Sequence, residues 1–234
     1  DNVNLDLMFG LPGQSPAQAT ADLHTAIDLE AAHISWYELT IEPNTWFHRH
    51  PPTRPDDDTL WTMQQAGQSV LGERDYARYE VSAYARPGMQ CRHNLNYWQF
   101  GDYLGIGAGA HGKVTDAARQ SITRPAKTRH PDRYLETAGT AACLSPSRVL
   151  ASGDVILEYA MNALRLEDGF TREAFTAATG LPFAAIEEPV TRALADGLLD
   201  EHGERLQASE RGQRYLNELL QYWMQADMPH ADTR

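Results

Sequence analysis

Cysteine is scarce in this chain: there are two in 234 residues, Cys91 and Cys143. Neither lies in a C-x-x-C or longer ligand spacing, so a zinc or iron–sulfur site cannot be built from these cysteines alone. Such sparing use fits a reducing, cytoplasmic location. Long hydrophobic runs are also missing. Nothing approaches the roughly 18 apolar residues of a membrane span, and no signal peptide is visible. Positive charge is in deficit, with 20 Lys and Arg against 32 Asp and Glu, a net charge of −12. That surface repels phosphate backbones, so nucleic acid is not an expected partner. Internal repeats and low-complexity tracts are absent. The remaining composition, 42% hydrophobic, is enough for an ordered core, in one large domain or two smaller ones.

The first residues, Asp1 to Asp6, carry no initiator methionine and run directly into an apolar stretch, which reads as a chain entered midway. Val3–Gly10 is apolar and stops at Gly-Leu-Pro-Gly, as a parallel strand covered by helices would. Ser15-Pro16 then offers an N-cap and a first-turn proline. Ile34–Ile41, rich in β-branched and aromatic residues, predicts a second strand. Strand, helix, strand implies a βαβ unit and a parallel sheet. Asp56–Asp58 caps a predicted helix running to about Arg74, and Tyr79–Tyr84 predicts a third strand. Ala85–Gly112 is dense in glycine and aromatics, and Lys113–Arg133 reads as a basic loop.

The patterning becomes helical after about Ser147. Helices are expected over 149–166, 171–179 and 183–199, then a hairpin turning near Gly203 and a closing helix ending near Met224. That order is a winged helix. The expected domains are therefore 1–145 and 146–234. From Leu150 onward there are 15 acidic and 7 basic residues, and the helix that would enter a DNA groove carries Glu187 and Glu188 with only Arg192. Those are the wrong electrostatics for DNA.

Three stretches, Asn4–Gly13 (NLDLMFGLPG), His33–Thr45 (HISWYELTIEPNT) and Tyr84–Lys113 with HNLNYW and GDYLGIGAGAHGK inside it, together resemble the coproporphyrinogen-oxidase-like radical S-adenosylmethionine family. The HNxxYW pattern at His93, Asn94, Tyr97 and Trp98 resembles its heme-chaperone branch. The likeness implies an α/β fold: the C-terminal strands and helices of a partial (β/α)6 barrel, followed by the winged-helix-like domain. It also implies that a longer parent protein holds a 4Fe–4S cluster on a C-x-x-x-C-x-x-C loop, which this stretch lacks. The chain is therefore not expected to catalyse radical chemistry alone. The expected function is heme binding and transfer, with oxygen-independent coproporphyrinogen III oxidation as the alternative.

The site residues implied fall into two groups. Asp6 sits in an apolar strand on the same face as Met8, opposite Leu5, Leu7 and Phe9. By resemblance Asp6 accepts hydrogen bonds from the ribose of S-adenosylmethionine, with Met8, Thr40 and His111 lining the same nucleoside pocket. His93 is the candidate axial ligand to heme iron, with Asn94 orienting it and Tyr97 and Trp98 beside the porphyrin. The six basic side chains of Lys113–Arg133, against Asp116 and Asp132, offer a clamp for heme propionates.

Several local patterns carry less. The glycines of Gly105–Ala110 follow no first strand and suit close backbone approach better than a dinucleotide fold. Gly10–Gly13 lacks the lysine of a phosphate loop, and His48-Arg49-His50 is assigned no metal. The expected partners are heme and a heme-accepting protein that the sequence does not identify. Peripheral membrane association and homodimerisation are left open.

Overall fold

The computed structural model describes residues 3–224, and the chain divides into two compact units after Arg92. In the first unit, β1 (Asn4–Phe9), α1 (Pro16–Asp28) and β2 (His33–Glu38) form the expected βαβ unit. β1 and β2 are parallel, with Asn4 opposite His33 and Phe9 opposite Glu38. Ser15 caps α1 in a capping box with Gln18, and Pro16 occupies the first turn. Next come α2 (Trp46–Arg49), α3 (Asp57–Gly72), β3 (Ala77–Glu80) and β4 (Ala83–Ala85), with Asp56 capping α3.

The sheet order is β1-β2-β4-β3, and β4 runs antiparallel to both of its neighbours. The third strand expected at Tyr79–Tyr84 is thus a tight hairpin. Glu80 turns the corner by accepting from the Ser82 backbone N–H and hydroxyl at 3.1 and 3.0 Å. α1 and α3 pack Leu23, Ile27, Leu60, Met63 and Leu71 onto Phe9, Ile34 and Trp36. A Cβ at Gly67 of α3 would lie 2.0 Å from the Trp36 ring, so only glycine lets the helix settle there. Leu5 and Leu7 point to this core while Asn4 and Asp6 are exposed, as period-2 alternation requires.

The second unit opens with α4 (Arg92–Trp98) and the glycine-rich loop. The segment expected as a basic loop is instead β5 (Val114–Asp116) and β6 (Ser121–Lys127), which pair antiparallel. After α5 (Pro131–Thr137), β7 (Leu144–Val149) adds to β6 with Arg124 opposite Arg148. Residue 149, expected in a helix, therefore ends a strand, and α6 (Ser152–Ala163) starts three residues later. The pattern change noted near residue 146 falls inside this unit, where β7 leads into α6.

β8 (Phe170–Thr171), α7 (Arg172–Thr179), α8 (Glu187–Ala195), β9 (Leu199–His202), β10 (Arg205–Ala208), α9 (Glu210–Arg214) and α10 (Leu216–Met224) complete the winged-helix order. The helix expected over 183–199 is a 3₁₀ turn at Phe183–Ile186, then α8, then the wing. Gly203 makes the wing turn, and β8 pairs with β10. Phe100, Tyr159, Phe170, Phe175, Ile186 and Leu206 sit in a single core.

Among the described residues of this unit, Lys113 is the most deeply set cationic side chain, 2% exposed. Its ammonium lies 2.8 Å from Asp102 Oδ1 and 3.1 Å from Thr115 Oγ1, and 4.2 Å from the Phe100 ring centroid. Burial pushes the Asp102 carboxyl up, but donation from Lys113 and Thr115 outweighs it and holds the group below the usual carboxylate range. Removing each partner should have unequal effects. Asp102→Ala leaves an uncompensated buried ammonium and should cost about 3 kcal/mol. Lys113→Met leaves a half-exposed carboxylate that still accepts from Thr115, and should cost nearer 1 kcal/mol. Chemical denaturation of the two variants measures the difference, and the reverse order would contradict this account.

Candidate functional site

The residues expected to bind heme all fall on α4 or its first turn. His93 is exposed, whereas Asn94, Tyr97 and Trp98 are half-buried. His93 and Tyr97 are four apart and share one face of the helix. Tyr97 stacks against Trp98 at 4.9 Å, edge to face, and against Tyr103 at 5.1 Å. The guanidinium of Arg165, just beyond α6, lies 4.4 Å from the Trp98 ring centroid. That cation–π contact fixes the C-terminal end of α4 to α6. Asn96 helps close the same end, donating from Nδ2 to the Asp102 carbonyl at 3.0 Å.

Arg124 joins these parts. Its Nη1 donates to the Tyr103 hydroxyl at 2.8 Å, and its Nε to Glu158 Oε2 at 2.8 Å, with Nη2 on the same oxygen. Burial works against the guanidinium's charge, but Glu158 more than compensates and holds it more firmly protonated than an ordinary arginine. Burial raises the Tyr103 hydroxyl above its ordinary value, as does its contact with Tyr97, despite Arg124. Tyr103 is therefore a neutral phenol at physiological pH.

A cavity of about 370 Å³ opens beside Tyr97, with Arg124, Arg148, Leu157, Glu158 and Met161 among its walls. Sequence reasoning missed the contributions of Tyr103, Arg148, Glu158, Met161 and Arg165. A signal existed: Glu158 and Asn162, four residues apart on α6, place polar groups in a mostly apolar helix, and Arg165 follows just beyond its end.

The glycine-rich loop is a backbone scaffold. Gly112 N–H donates to Pro125 O at 2.8 Å and Lys127 N–H to Ala110 O at 2.8 Å, which lays the loop along β6. A Cβ at Gly105 would lie 2.3 Å from the His111 carbonyl oxygen, so the loop requires glycine there. His111 itself is exposed, with its backbone bridged to Ala126.

The other expected nucleoside-pocket residues, Asp6, Met8 and Thr40, lie in the first unit. Asp6 and Met8 share a face of β1; Thr40 is exposed just beyond β2, with its hydroxyl 3.4 Å from the Glu38 carbonyl. Asp6 Oδ1 accepts from Asn4 Nδ2 at 2.9 Å. Because a carboxylate only accepts, Asn4 must turn its Oδ1 the other way. That oxygen takes His33 Nδ1–H at 2.6 Å and the Ser35 hydroxyl at 3.1 Å. His33 Nε2, left without a proton, then accepts from the Tyr79 hydroxyl at 2.7 Å. One carboxylate thus orders a chain of donors running into the sheet. Among the described residues, no group of three His, Cys, Asp or Glu side chains could hold a metal ion, and these residues do not fit an iron–sulfur cluster.

Residues 150–215 match the family model described as the HemN C-terminal domain. The chain is 47% identical over 221 residues to the heme chaperone HemW of Escherichia coli (strain K12), covering 94% of this chain and 57% of that protein. It is 44% identical to the heme chaperone HemW of Haemophilus influenzae, covering 94% and 56%. The chain therefore spans little more than half the length of these relatives, and matches their C-terminal part. The solved structure of coproporphyrinogen III oxidase (HemN) from Escherichia coli, titled a radical SAM enzyme, superposes with a TM-score of 0.71 over 94% of this chain and 54% of that one. At 17% identity that likeness shows a shared fold.

Burial lowers the pKa of His33 from 6.5, against the opposing pull of Asp6 and Glu80, so the fold favours the neutral ring. The stability this gives is fully present above about pH 6.5 and declines as pH falls from there toward the lowered folded value. The thermal midpoint of the first unit should fall over that window. His33→Leu should be less stable throughout yet show a flatter pH profile; an unchanged slope would remove His33 as the source.

Proposed function

As the C-terminal part of a HemW-type protein of the HemN-like family, the chain carries, we propose, a site that binds heme for transfer to another protein. The observation that supports this most directly is the arrangement of α4. An exposed histidine shares a helix face with Tyr97, which borders a cavity having both apolar and cationic walls. A neutral imidazole offers a lone pair to a porphyrin iron, and an exposed one meets a large planar ligand without rearrangement of the core. Asn94, half-buried on the same helix, lies beside His93, and Tyr97 presents an aromatic edge. Trp98, pinned by Arg165, holds the helix at a fixed pitch.

Tyr103 is kept neutral, and Arg124 is engaged as a strut behind the site. In this reading the first unit would take the nucleoside of S-adenosylmethionine. Asp6 would accept from the ribose hydroxyls with Asn4 holding its other side, and Met8 and Thr40 would lie nearby. Bound together with a 4Fe–4S cluster in a longer protein, that cofactor would supply radical chemistry. The cytoplasm is the location that fits; no helix among the described residues is long and apolar enough to cross a membrane. Coproporphyrinogen oxidation is the reading that turnover by a cluster-bearing longer protein would favour.

Heme added in increments should give a saturable Soret shift with this chain. His93→Ala should abolish the shift or weaken it at least about tenfold, the loss of one metal–ligand bond dominating the affinity. Identical titrations for the two proteins would place the iron elsewhere.

A further inference from the structure

The cavity beside Tyr97 has a charge arrangement that the fold alone does not require. Arg124 on β6 and Arg148 on β7 are direct cross-strand partners. Like charges in that relation repel, since opposed Cβ atoms in antiparallel strands lie only ~5 Å apart. The chain keeps the pair by supplying two carboxylates from α6, one turn apart: Glu158 on Arg124, and Asp154 on Arg148 at 2.7 Å. The two ion pairs differ. Arg124 is largely enclosed and also bound to Tyr103, whereas the Arg148 and Asp154 side chains are 60% and 41% exposed. Leu157 and Met161, also from α6, add apolar surface to the same cavity.

A planar apolar molecule with carboxylates along one edge complements such a gradient. Building on the heme reading above, we propose that Arg148 is the propionate-binding residue of the heme site, with Tyr97, Leu157 and Met161 taking the adjoining porphyrin edge and Arg124 a fixed cation behind it. His93 lies about one helical turn from Tyr97 on the same face, ~6 Å along α4. Iron on His93 and a porphyrin rim at the cavity are therefore compatible with one ligand. The contact with Asp154 takes Arg148 through Nη2, and a guanidinium has five N–H donors in a planar fork suited to carboxylates. Asp154 is then a competitor: its carboxylate occupies Arg148 in the empty protein and yields to, or shares with, an arriving propionate. The first helix of the winged-helix-like segment thereby becomes a wall of the heme site, a role distinct from binding nucleic acid.

Heme and heme dimethyl ester, which has the same iron and ring but no free carboxylates, separate this clamp from ring packing. Both are titrated into the whole chain as wild type, Arg148→Ala, Arg148→Lys, Asp154→Asn and His93→Ala. The clamp requires wild type to bind heme more tightly than the diester. Arg148→Ala should weaken heme by about tenfold and leave the diester within about twofold, the effect of one charge-assisted hydrogen bond. Arg148→Lys should recover part of the loss, and Asp154→Asn should tighten heme alone. Equal weakening of both ligands by Arg148→Ala, or none of either, would overturn the proposal. If His93→Ala abolishes the Soret shift while Arg148→Ala behaves as wild type, only the clamp falls. If wild type shows no shift with either ligand, the heme reading fails and the clamp with it.

Discussion

A largely enclosed guanidinium that must keep its charge is the constraint on which the second unit depends. Arg124 is an always-protonated group drawn out of water, and without partners such burial would be prohibitive. Its partners come from three places: Glu158 from α6, Tyr103 from the glycine-rich loop, and, through Tyr103, Tyr97 from α4. Satisfying one cation therefore fixes a helix, a loop and a sheet strand in a single relation. Ion pairs of this kind contribute little net stability compared with apolar packing of the same volume. Here the pair specifies geometry. Stability comes from the aromatic core beneath, where Tyr159 meets Phe100, Phe170 and Phe175 edge to face.

The first unit solves a related problem with neutral groups. Asn4 and His33 are polar residues at the start of two paired strands, and β2 buries His33. Their hydrogen bonds have a single consistent direction, set by the carboxylate of Asp6 at the exposed end and finishing at Tyr79. Desolvation keeps the imidazole neutral, which is the state the chain of donors needs. The exposed candidate Asp6 is thereby attached to a polar side chain, Asn4, whose remaining bonds are committed to His33 and Ser35. Such support costs packing area but limits the rotamers available to the exposed group.

What could be read from sequence follows from which interactions are local. Ser15 and Asp56 announced their helices because a cap is made within three residues. The two faces of β1 followed from strict alternation, and Gly203 marked the wing turn because few other residues adopt its backbone angle. The errors lay where long-range pairing decides. Tyr79–Tyr84 reads as one strand, yet Glu80 folds it into a hairpin through its own side chain. The segment around β6 reads as a loop because its charges and Pro125 mask the β-branched Ile122 and Thr123, and its strand exists through pairing with β5 and β7. The HNxxYW motif falls on α4, within the stretch where glycine and aromatics are dense. The opposition of Arg124 and Arg148 was invisible, since 24 residues separate them and only register brings them together.

A protein that hands heme on faces a requirement opposite to that of one that keeps it. Permanent heme proteins enclose the iron ligand, so that release requires opening the fold. In the proposed site, an exposed His93 on a seven-residue helix would let heme arrive and leave without unfolding anything, and that exposure by itself would give a weak site. Affinity would then come from groups at the periphery of the porphyrin, where a receiving protein could compete for them one at a time. Arg148 with Asp154 has that character: a half-exposed cation already carrying a replaceable carboxylate pays little desolvation on exchange, because the charge is never left bare. Arg124 does not, since releasing Glu158 would uncouple α4 from α6. Dividing one rigid and one exchangeable arginine across a single strand pair would hold the proposed site in shape whether loaded or empty.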